Sequence, residues 1–193
     1  MIGIGLVLYP GVQQAAVLGL SDLFSVANNI AAEYQQHTVL QVTHWQSPGQ
    51  DRDPIPTGDV SANPSCALSA LILPPALSTP VVPERGDRLT QWLRDRHAQG
   101  VVLGSICAGA FLLAATGLMT GRRMTTHWKY AELLQQHFPD IAVDADRLVI
   151  DDGDVISAGG LMSWTDLGLR LVDRLLGPTI MIHTCLLYTS PSP

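Results

Sequence analysis

Apolar runs alternate with stretches of helical spacing along most of the chain. The run Ile4–Tyr9 ends at the turn Pro10-Gly11, and apolar residues then recur at helical spacing as far as Ala31. Further strands are predicted over 39–45, 70–73 and 101–106, and further helices ending at Gly100, around Phe111–Leu113, over 128–137 and after Ser163. This order predicts an α/β fold, with a mostly parallel sheet and helices on both of its faces.

A small hairpin is predicted near the carboxyl end of the chain. Apolar residues at 148–150 and 155–157 flank Asp151-Asp152-Gly153-Asp154, and an Asp-Gly pair between two strand runs is a turn signal. The same turn accounts for the three aspartates, whose likeness to a calcium-binding loop is superficial. Ser163 and Asp166 have the spacing of a capping box at the start of the last predicted helix.

Composition indicates one folded domain. The chain has 193 residues, of which 47% are hydrophobic and 15% are charged. No apolar run reaches the roughly 18 to 20 residues that cross a bilayer, and no basic segment precedes the first apolar run. We therefore expect a cytoplasmic protein with no membrane partner.

Charge and cysteine content argue against several kinds of site. The net charge is −6, and the nearest approach to a basic cluster is the pair Arg122 and Arg123, so this stretch lacks a surface suited to nucleic acid. Cys66, Cys107 and Cys185 show no paired spacing, and the histidines share no ligand spacing. We expect neither a metal nor a cofactor, and we expect Cys66 and Cys185 to be inert.

The last residues break the pattern. After Gly177-Pro178 the chain ends in HTCLLYTSPSP, which fits no predicted element. One interpretation is a frayed terminus. The other, which we favour, is that TCLLYTSPSP resembles translated sequencing-adaptor read-through on a truncated gene product. The expected organisation is a domain over 1–182 and a non-native or disordered tail over 183–193.

Cys107 lies on a bend between an apolar strand and a helix. Ser105 and Gly109, two positions to either side, are small enough for the close backbone approach that a strained strand-to-helix elbow requires. A thiol at a helix N-terminus also experiences the helix dipole, which can lower its pKa from about 8.5 to roughly 3.5–7.5. The spacing leaves three roles open: a nucleophile, a sensor, or a small buried apolar side chain.

Three segments together resemble one known family. They are LYPGVQQAAVLGLSDLFSVAN, GSICAGAFLLAATGLMTGRRMTTHW and VIDDGDVISAGGLMSWTDLGLRLVDRLLGP, and the likeness covers about residues 1–182. The chain resembles the PfpI-type branch of the class I glutamine amidotransferase-like superfamily, most of all the N-terminal domain of AraC-type transcriptional regulators. The resemblance implies a flavodoxin-like three-layer sandwich, often dimeric, with a reactive cysteine on a nucleophile elbow. In whole regulators, a pair of helix-turn-helix units follows at the C-terminus.

The resemblance also implies candidate site residues. Cys107 is the elbow cysteine, and His127 is the histidine that approaches it in many relatives, where it could accept the thiol proton or bond a ligand. The alternative for His127 is a helix-start histidine bonded to a backbone group. Ala76 and Ala108 occupy positions where relatives aim backbone N–H groups at an oxyanion or carboxylate, which suits an anionic or carbonyl ligand.

Two departures from the family pattern bear on catalysis. Relatives that do chemistry have a carboxylate five residues after the glycine of the first turn, and that position, counted from Gly11, is Ala16 here. The thiol then lacks an acidic partner for general acid–base catalysis. Pro75 replaces a glycine that the family usually has and removes one backbone donor. Asp22 lies on the same helix but faces a different direction, so we expect it to be solvated or to cap.

The pattern as a whole favours the N-terminal ligand-sensing domain of an AraC-type transcriptional regulator, truncated before its helix-turn-helix DNA-binding domain. Such a domain would bind a small-molecule metabolite near Cys107 and His127, form a homodimer, and reach DNA only through the missing C-terminal domain. The alternative is a free-standing cysteine-dependent enzyme, an isonitrile hydratase or amidase-like hydrolase, with Cys107 as nucleophile. Oxidation of Cys107 as a redox signal is compatible with the first hypothesis.

Overall fold

The computed structural model describes residues 1–48, 52–57, 66–84 and 87–190. Its strands are β1 (Ile2–Leu8), β2 (Leu40–Gln46), β3 (Ile55–Thr57), β4 (Leu68–Leu73), β5 (Val102–Ile106), β6 (Arg123–Met124), β7 (Ala142–Val143), β8 (Val149–Asp151) and β9 (Val155–Ala158). Its helices are α1 (Gln14–Glu33), α2 (Arg88–Ala98), α3 (Gly109–Ala115), α4 (Trp128–His137), α5 (Trp164–Leu176) and α6 (Pro178–Thr189).

One seven-stranded sheet organises these elements, in the order β3-β2-β1-β4-β5-β9-β8. The five inner strands are parallel to one another, and the edge strands β3 and β8 are antiparallel to their neighbours. The predicted α/β fold with a mostly parallel sheet is confirmed, and it is the flavodoxin-like arrangement that the resemblance implied. A separate parallel pair, β6 and β7, was not predicted.

Helices cover both faces of this sheet, as its apolar strands require. α1, α5 and α6 pack against one another over one face, while α2 and α3 pack together over the other. The side chains of Ile4, Leu6 and Leu103 on β1 and β5 are fully buried. Trp92 and Trp164 are buried in these helical layers, which confirms the prediction that they belong to the core.

The predicted hairpin is present as β8 and β9. Gly153 has a φ of 94°, which a residue with a side chain rarely adopts, and its N–H donates to Asp151 Oδ1 at 2.9 Å. The Asp-Gly pair therefore forms the turn. Ser163 precedes α5 as expected, but its hydroxyl accepts from the Gly160 N–H at 2.9 Å and makes no cap bond to the helix. The capping box is a wrong prediction because the neighbouring glycine turn takes the hydroxyl.

α1 is long and apolar enough to cross a membrane, by length and composition alone, with a mean hydropathy of 1.3 over 18 of its 20 residues. It is the one helix among the described residues that passes this test. Eight of its side chains are buried. They recur on one face against the sheet and the neighbouring helices, whereas Asp22 on the other side is exposed. This amphipathic distribution is typical of a helix that covers a protein core.

The carboxyl-terminal stretch is helical as far as Thr189, which corrects the expectation of a disordered tail from residue 183. Pro178 occupies the start of α6, and Ile180 and Thr184 are buried where α6 meets α1 and α5. Two buried positions are too short a stripe to predict a helix from sequence. Residues 191–193 lie outside the described part of the chain, and the read-through origin of the tail stays a prediction.

The parallel sheet brings four loops to one edge. Tyr9 directly follows β1, Pro74 follows β4, Cys107 follows β5 and Gly159 follows β9. In open α/β sheets, ligand sites collect at the carboxyl ends of the strands. The fold therefore places the candidate site residues around this edge.

Candidate functional site

Cys107 occupies the sharp bend between β5 and α3 in a left-handed conformation, with a φ of 53°. Holding a non-glycine residue there costs about 1–3 kcal/mol, so the surroundings must fix it. The Cys107 N–H donates to the Ala158 carbonyl at 2.8 Å, and the Cys107 carbonyl accepts from Thr126 Oγ1 at 2.7 Å. The end of β9 and the loop before α4 are thereby both bonded to the bend.

Gly109 shows why the bend needs small residues. A Cβ added to Gly109 would lie 2.3 Å from the Leu73 carbonyl oxygen and 3.0 Å from that of Pro74. Only a glycine lets α3 begin this close to the end of β4. The predicted close backbone approach is therefore present on the carboxyl side of Cys107.

The Cys107 thiol is buried, with 2% of the residue exposed. Burial raises its pKa, and the hydrogen bond from the Ala108 N–H opposes that rise only in part. The lowering that a helix dipole can produce is therefore outweighed at this position. The thiol is desolvated more strongly than the seven-residue helix α3 and its amides can compensate.

Tyr9 belongs to this site and was missed in the sequence. Its hydroxyl donates a hydrogen bond to the Pro74 carbonyl, and its ring is buried. Burial raises the Tyr9 pKa, and the nearby Cys107 raises it further, so both groups are neutral at physiological pH. The available signal was its position directly after the first strand, at the same sheet edge as Cys107.

The loop before α1 and the loop after β4 are bonded together beside the bend. The Gln13 N–H donates to the Pro75 carbonyl at 2.7 Å, and the Leu77 N–H donates to that of Gly11 at 2.9 Å. Ala76, between these two bonds, is buried, and its N–H donates to no backbone carbonyl among the described residues. The Ala76 amide is thus unused, as an anion-binding donor requires.

Ala16 is completely buried in the first turn of α1. The side chain at the position where the resemblance implies an acid in catalytic relatives is therefore a methyl group inside the core. Asp22, two turns further along the same helix, is exposed. Neither residue supplies a carboxylate to Cys107.

His127 caps α4 and does not bond the cysteine. Its Nδ1 accepts from the Lys129 N–H at 3.2 Å, which leaves the proton on Nε2. The ring packs on Trp128 and Tyr130, with ring centroids 5.4 and 6.0 Å away. There is no hydrogen bond between the two described side chains of His127 and Cys107, and Thr126 links their backbones instead.

His127 opens instead into a cleft of about 370 Å³. We call this the His127 cleft, and its lining residues are Thr126, His127, Trp128, Ala145, Asp146, Arg147, Leu148, Gly159 and Gly160. Cys107 is not among them. Trp128 is 75% exposed at its rim, and Leu148 on the facing loop is 56% exposed.

The walls of the His127 cleft are fastened to β9 and to each other. The Thr125 N–H donates to Ser157 Oγ at 3.0 Å, and Thr125 Oγ1 donates to the Arg147 carbonyl at 2.7 Å. The Gly159 N–H donates to the Leu148 carbonyl at 2.9 Å. These bonds join segments far apart in sequence, so local patterns could not predict the 145–148 wall.

Comparisons with known proteins place the chain in a family. The sequence profile of the DJ-1/PfpI family matches residues 56–174. The HTH-type transcriptional regulator CdhR of Pseudomonas aeruginosa is 39% identical over 95 residues, which are 49% of this chain and 28% of the regulator. The chain thus matches little more than a quarter of that protein's length. The isonitrile hydratase of Pseudomonas putida is 30% identical over 98% of this chain and 79% of the enzyme.

A solved structure agrees with these matches at the level of the fold. The crystal structure of an AraC family transcriptional regulator from Pseudomonas putida superposes with a TM-score of 0.76 and 21% identity, over 98% of this chain and 100% of that one. The family profile covers more than half of the chain, and the hydratase match extends over nearly all of it. The chain belongs to the DJ-1/PfpI family.

Proposed function

We propose that this chain is the ligand-sensing domain of an AraC-type transcriptional regulator and that it binds its ligand without converting it. The observation that carries the proposal is Ala16. Where catalysis in the family calls for a carboxylate, this chain has a buried methyl group. A thiol without such a partner has no group to orient it or to exchange a proton with a substrate.

The state of the thiol supports the same conclusion. A cysteine nucleophile must be a thiolate at the pH of the reaction, and burial raises the pKa of Cys107. Tyr9, the other titratable group beside it, is also held neutral by burial. Both side chains already carry their proton at neutral pH, so neither can accept another from a substrate.

The regulator-like relatives supply the rest of the proposal. CdhR is an HTH-type transcriptional regulator, and the matched crystal structure is that of an AraC family transcriptional regulator. By analogy, we propose a cytoplasmic homodimer that binds a small-molecule metabolite. By the same analogy, we expect DNA to be contacted through a helix-turn-helix domain distinct from this one. The residues proposed to contact or support the ligand are Ala76, Cys107, Ala108 and His127.

A second candidate function is hydration of an isonitrile, with Cys107 as nucleophile. The isonitrile hydratase match favours it, because that match extends over nearly the whole chain, unlike the match to CdhR. The strained backbone of Cys107 is also the conformation expected of a nucleophile elbow. Against it stand the raised pKa of the thiol and the side chain of Ala16.

Two measurements separate these candidates. The gene is sequenced past codon 178, and we expect an open frame encoding a helix-turn-helix pattern. The purified chain is then incubated with an alkyl isonitrile, and we expect no N-substituted formamide, the product of adding water to the isonitrile. A stop codon soon after Pro178, together with formamide production that Cys107→Ser abolishes, would replace the sensing function with the enzymatic one.

A further inference from the structure

We infer that a second copy of this chain docks over the mouth of the His127 cleft, in a two-fold contact that pairs Asp146 of each copy with Arg147 of the other. The surface involved, which we call the rim face, is formed by Trp128, Asp146, Arg147 and Leu148. This inference rests on the proposed function, which includes a homodimer, and adds the surface through which that homodimer forms.

The rim face exposes large apolar side chains on both walls of the cleft. Trp128 and Leu148 are each more than half exposed, although both line the cleft. Leu161 and Met162 directly follow Gly160, another lining residue, and they are 37% and 60% exposed. Exposed apolar side chains that cluster in this way mark interaction sites, and tryptophan is among the side chains that contribute most to protein contacts. The rim face is therefore suited to a protein partner.

Two charges on the rim face are not neutralised within a single chain. Asp146 and Arg147 are exposed, and neither forms an ion pair with the other or with any residue that the structure describes. Arg122 and Arg170, in contrast, are each bonded to two aspartates. The rim face therefore presents a carboxylate and a guanidinium at neighbouring positions, both available to a partner.

This arrangement of charges is complementary to itself, which is why the partner is a second copy. In a two-fold contact the same surface meets on both sides, so a residue that contacts a second residue across the axis is contacted by it in return. An axis between Asp146 and Arg147 places each carboxylate opposite Arg147 of the partner subunit and forms two ion pairs. A surface carrying charges of one sign would repel its own copy.

Another exposed apolar surface, between α1 and α6, is less suited to a two-fold contact. Its groove is lined by apolar residues such as Leu186 and Leu187, together with Glu33 and His183. His183 Nε2 is already bonded to the Tyr34 hydroxyl at 2.7 Å, so the described lining residues offer Glu33 no other basic group. Leu186 and Leu187 also belong to the stretch that we interpret as read-through. The rim face is therefore the better candidate.

The walls that carry the rim face are held in place before any partner binds. The Arg147 carbonyl accepts a hydrogen bond from Thr125 Oγ1 at 2.7 Å. On the opposite wall, Thr126 Oγ1, two residues before Trp128, donates to the Cys107 carbonyl at 2.7 Å. A surface fixed in advance loses little conformational freedom on association. The strained bend at Cys107 thereby helps to position the rim face, and a docked copy covers the cleft of about 370 Å³ beneath it.

The inference is tested by sedimentation velocity of the purified chain over a range of concentrations, which gives the dissociation constant of the dimer. Arg147→Asp leaves two carboxylates on each rim face and Asp146→Arg leaves two cations, so each variant alone should dimerise about tenfold or more weakly than the parent chain. An equimolar mixture of the two variants restores both ion pairs and should form a heterodimer about as tight as the parent homodimer. Native mass spectrometry identifies the heterodimer, because the two variants differ in mass.

Two further variants serve as controls. Arg94→Asp is the matched one, because Arg94 is likewise an exposed arginine beside an aspartate but lies on α2. It should leave the dissociation constant unchanged. Leu187→Ser, on α6, tests the rival surface and should also leave the dimer intact. Circular dichroism and the thermal midpoint establish that each variant is folded.

Three results overturn the inference. They are a parent chain that stays monomeric, a dimer that neither rim-face variant weakens, and two weakened variants that do not associate when mixed. A dimer that only Leu187→Ser weakens would assign the contact to α6 and keep the homodimer. A monomeric parent chain would remove the homodimer from the proposed function, but sensing without conversion is judged separately, by the gene sequence and the isonitrile assay.

Discussion

Cys107 combines a strained backbone with a protected side chain. Its left-handed φ is the kind of feature that clusters at functional sites, yet the thiol is buried and its pKa is raised. The bend therefore serves to hold the Thr126–His127 loop and the end of β9 in place, through the backbone bonds of this one residue.

Alkylation kinetics test the state of the thiol. In a Cys66→Ser/Cys185→Ser background, we expect Cys107 to react with iodoacetamide at pH 7 more slowly than a free peptide thiol, because it is both buried and protonated. The rate is followed by intact mass against a cysteine-containing peptide in the same tube. Faster reaction than the peptide would contradict the raised pKa and would revive the enzymatic and redox hypotheses.

The same raised pKa predicts a dependence of stability on pH. The protonated thiol contributes fully to the free energy of unfolding below about pH 8.5, the pKa of the thiol in the unfolded chain. This contribution is lost as the pH rises towards the higher pKa of the thiol in the folded chain. We expect the free energy of unfolding to fall between about pH 8 and 10 more steeply in the parent chain than in Cys107→Ala. Urea denaturation over this range measures it, and equal slopes would argue against the shift.

At the scale of elements, the start of α3 depends on its contact with the end of β4. Gly109 is the point of closest approach, because a methyl group added there would clash with the Leu73 carbonyl. The hairpin of β8 and β9 is held at its turn by Arg122, which bonds Asp154 at 2.6 Å and Asp152 at 3.2 Å. His97 on α2 bonds the same Asp154 at 2.8 Å.

Gly109→Ala tests the contact between α3 and β4. We expect the free energy of unfolding to fall by about 1–3 kcal/mol, because the added methyl group forces the helix start away from Leu73. Ala115→Gly at the other end of α3 is the control and should cost about 0.5–1 kcal/mol through helix propensity alone. Urea denaturation measures both, and a cost for Gly109→Ala no larger than that of the control would refute the close approach.

Asp154→Asn tests the charged anchor of the hairpin. Hydrogen bonding to Arg122 holds the pKa of Asp154 well below its usual range, so the carboxylate contributes stability at neutral pH that is lost as the pH falls through that lowered pKa. For this half-exposed group we expect a loss of about 1 kcal/mol at pH 7, shrinking under strongly acidic conditions. Asp140→Asn, on an exposed turn, is the control, and a pH-independent loss would contradict the assignment.

At the scale of the whole molecule, the chain lacks the charge for binding nucleic acid by itself. Its net charge is −6, and Arg122 and Arg170 are each bonded to two aspartates. We expect no binding of labelled duplex DNA in fluorescence anisotropy at low salt, because neutralisation of phosphates needs clustered free cations. Binding that weakens steeply with added salt would contradict this and would place a DNA surface within this domain.

Local patterns predicted most of the fold but little of the site. The strands and the hairpin follow from apolar runs and an Asp-Gly turn, and α5 was predicted although the capping box at Ser163 was not borne out. Tyr9 and the 145–148 wall were missed because they join the site only through their position in the folded chain. Tyr9 lies near Cys107, and the wall lies near His127, but neither is close to its neighbour in sequence. The direction of the Cys107 pKa shift could not be decided from the sequence, because a helix start is visible in sequence whereas the depth of burial beneath neighbouring loops is not.

The sequence by itself determined the parallel α/β order and the bend at Cys107, because both depend on residue type and spacing along the chain. The resemblance to the family identified Ala16 as the position where an acid is missing. Only the tertiary structure decided that the thiol is buried, that His127 bonds the Lys129 N–H and not the cysteine, and that Asp146 and Arg147 share a cleft with that histidine. Burial and the pairing of charges depend on which distant segments meet, and that is set by the packing of loops at the edge of the sheet.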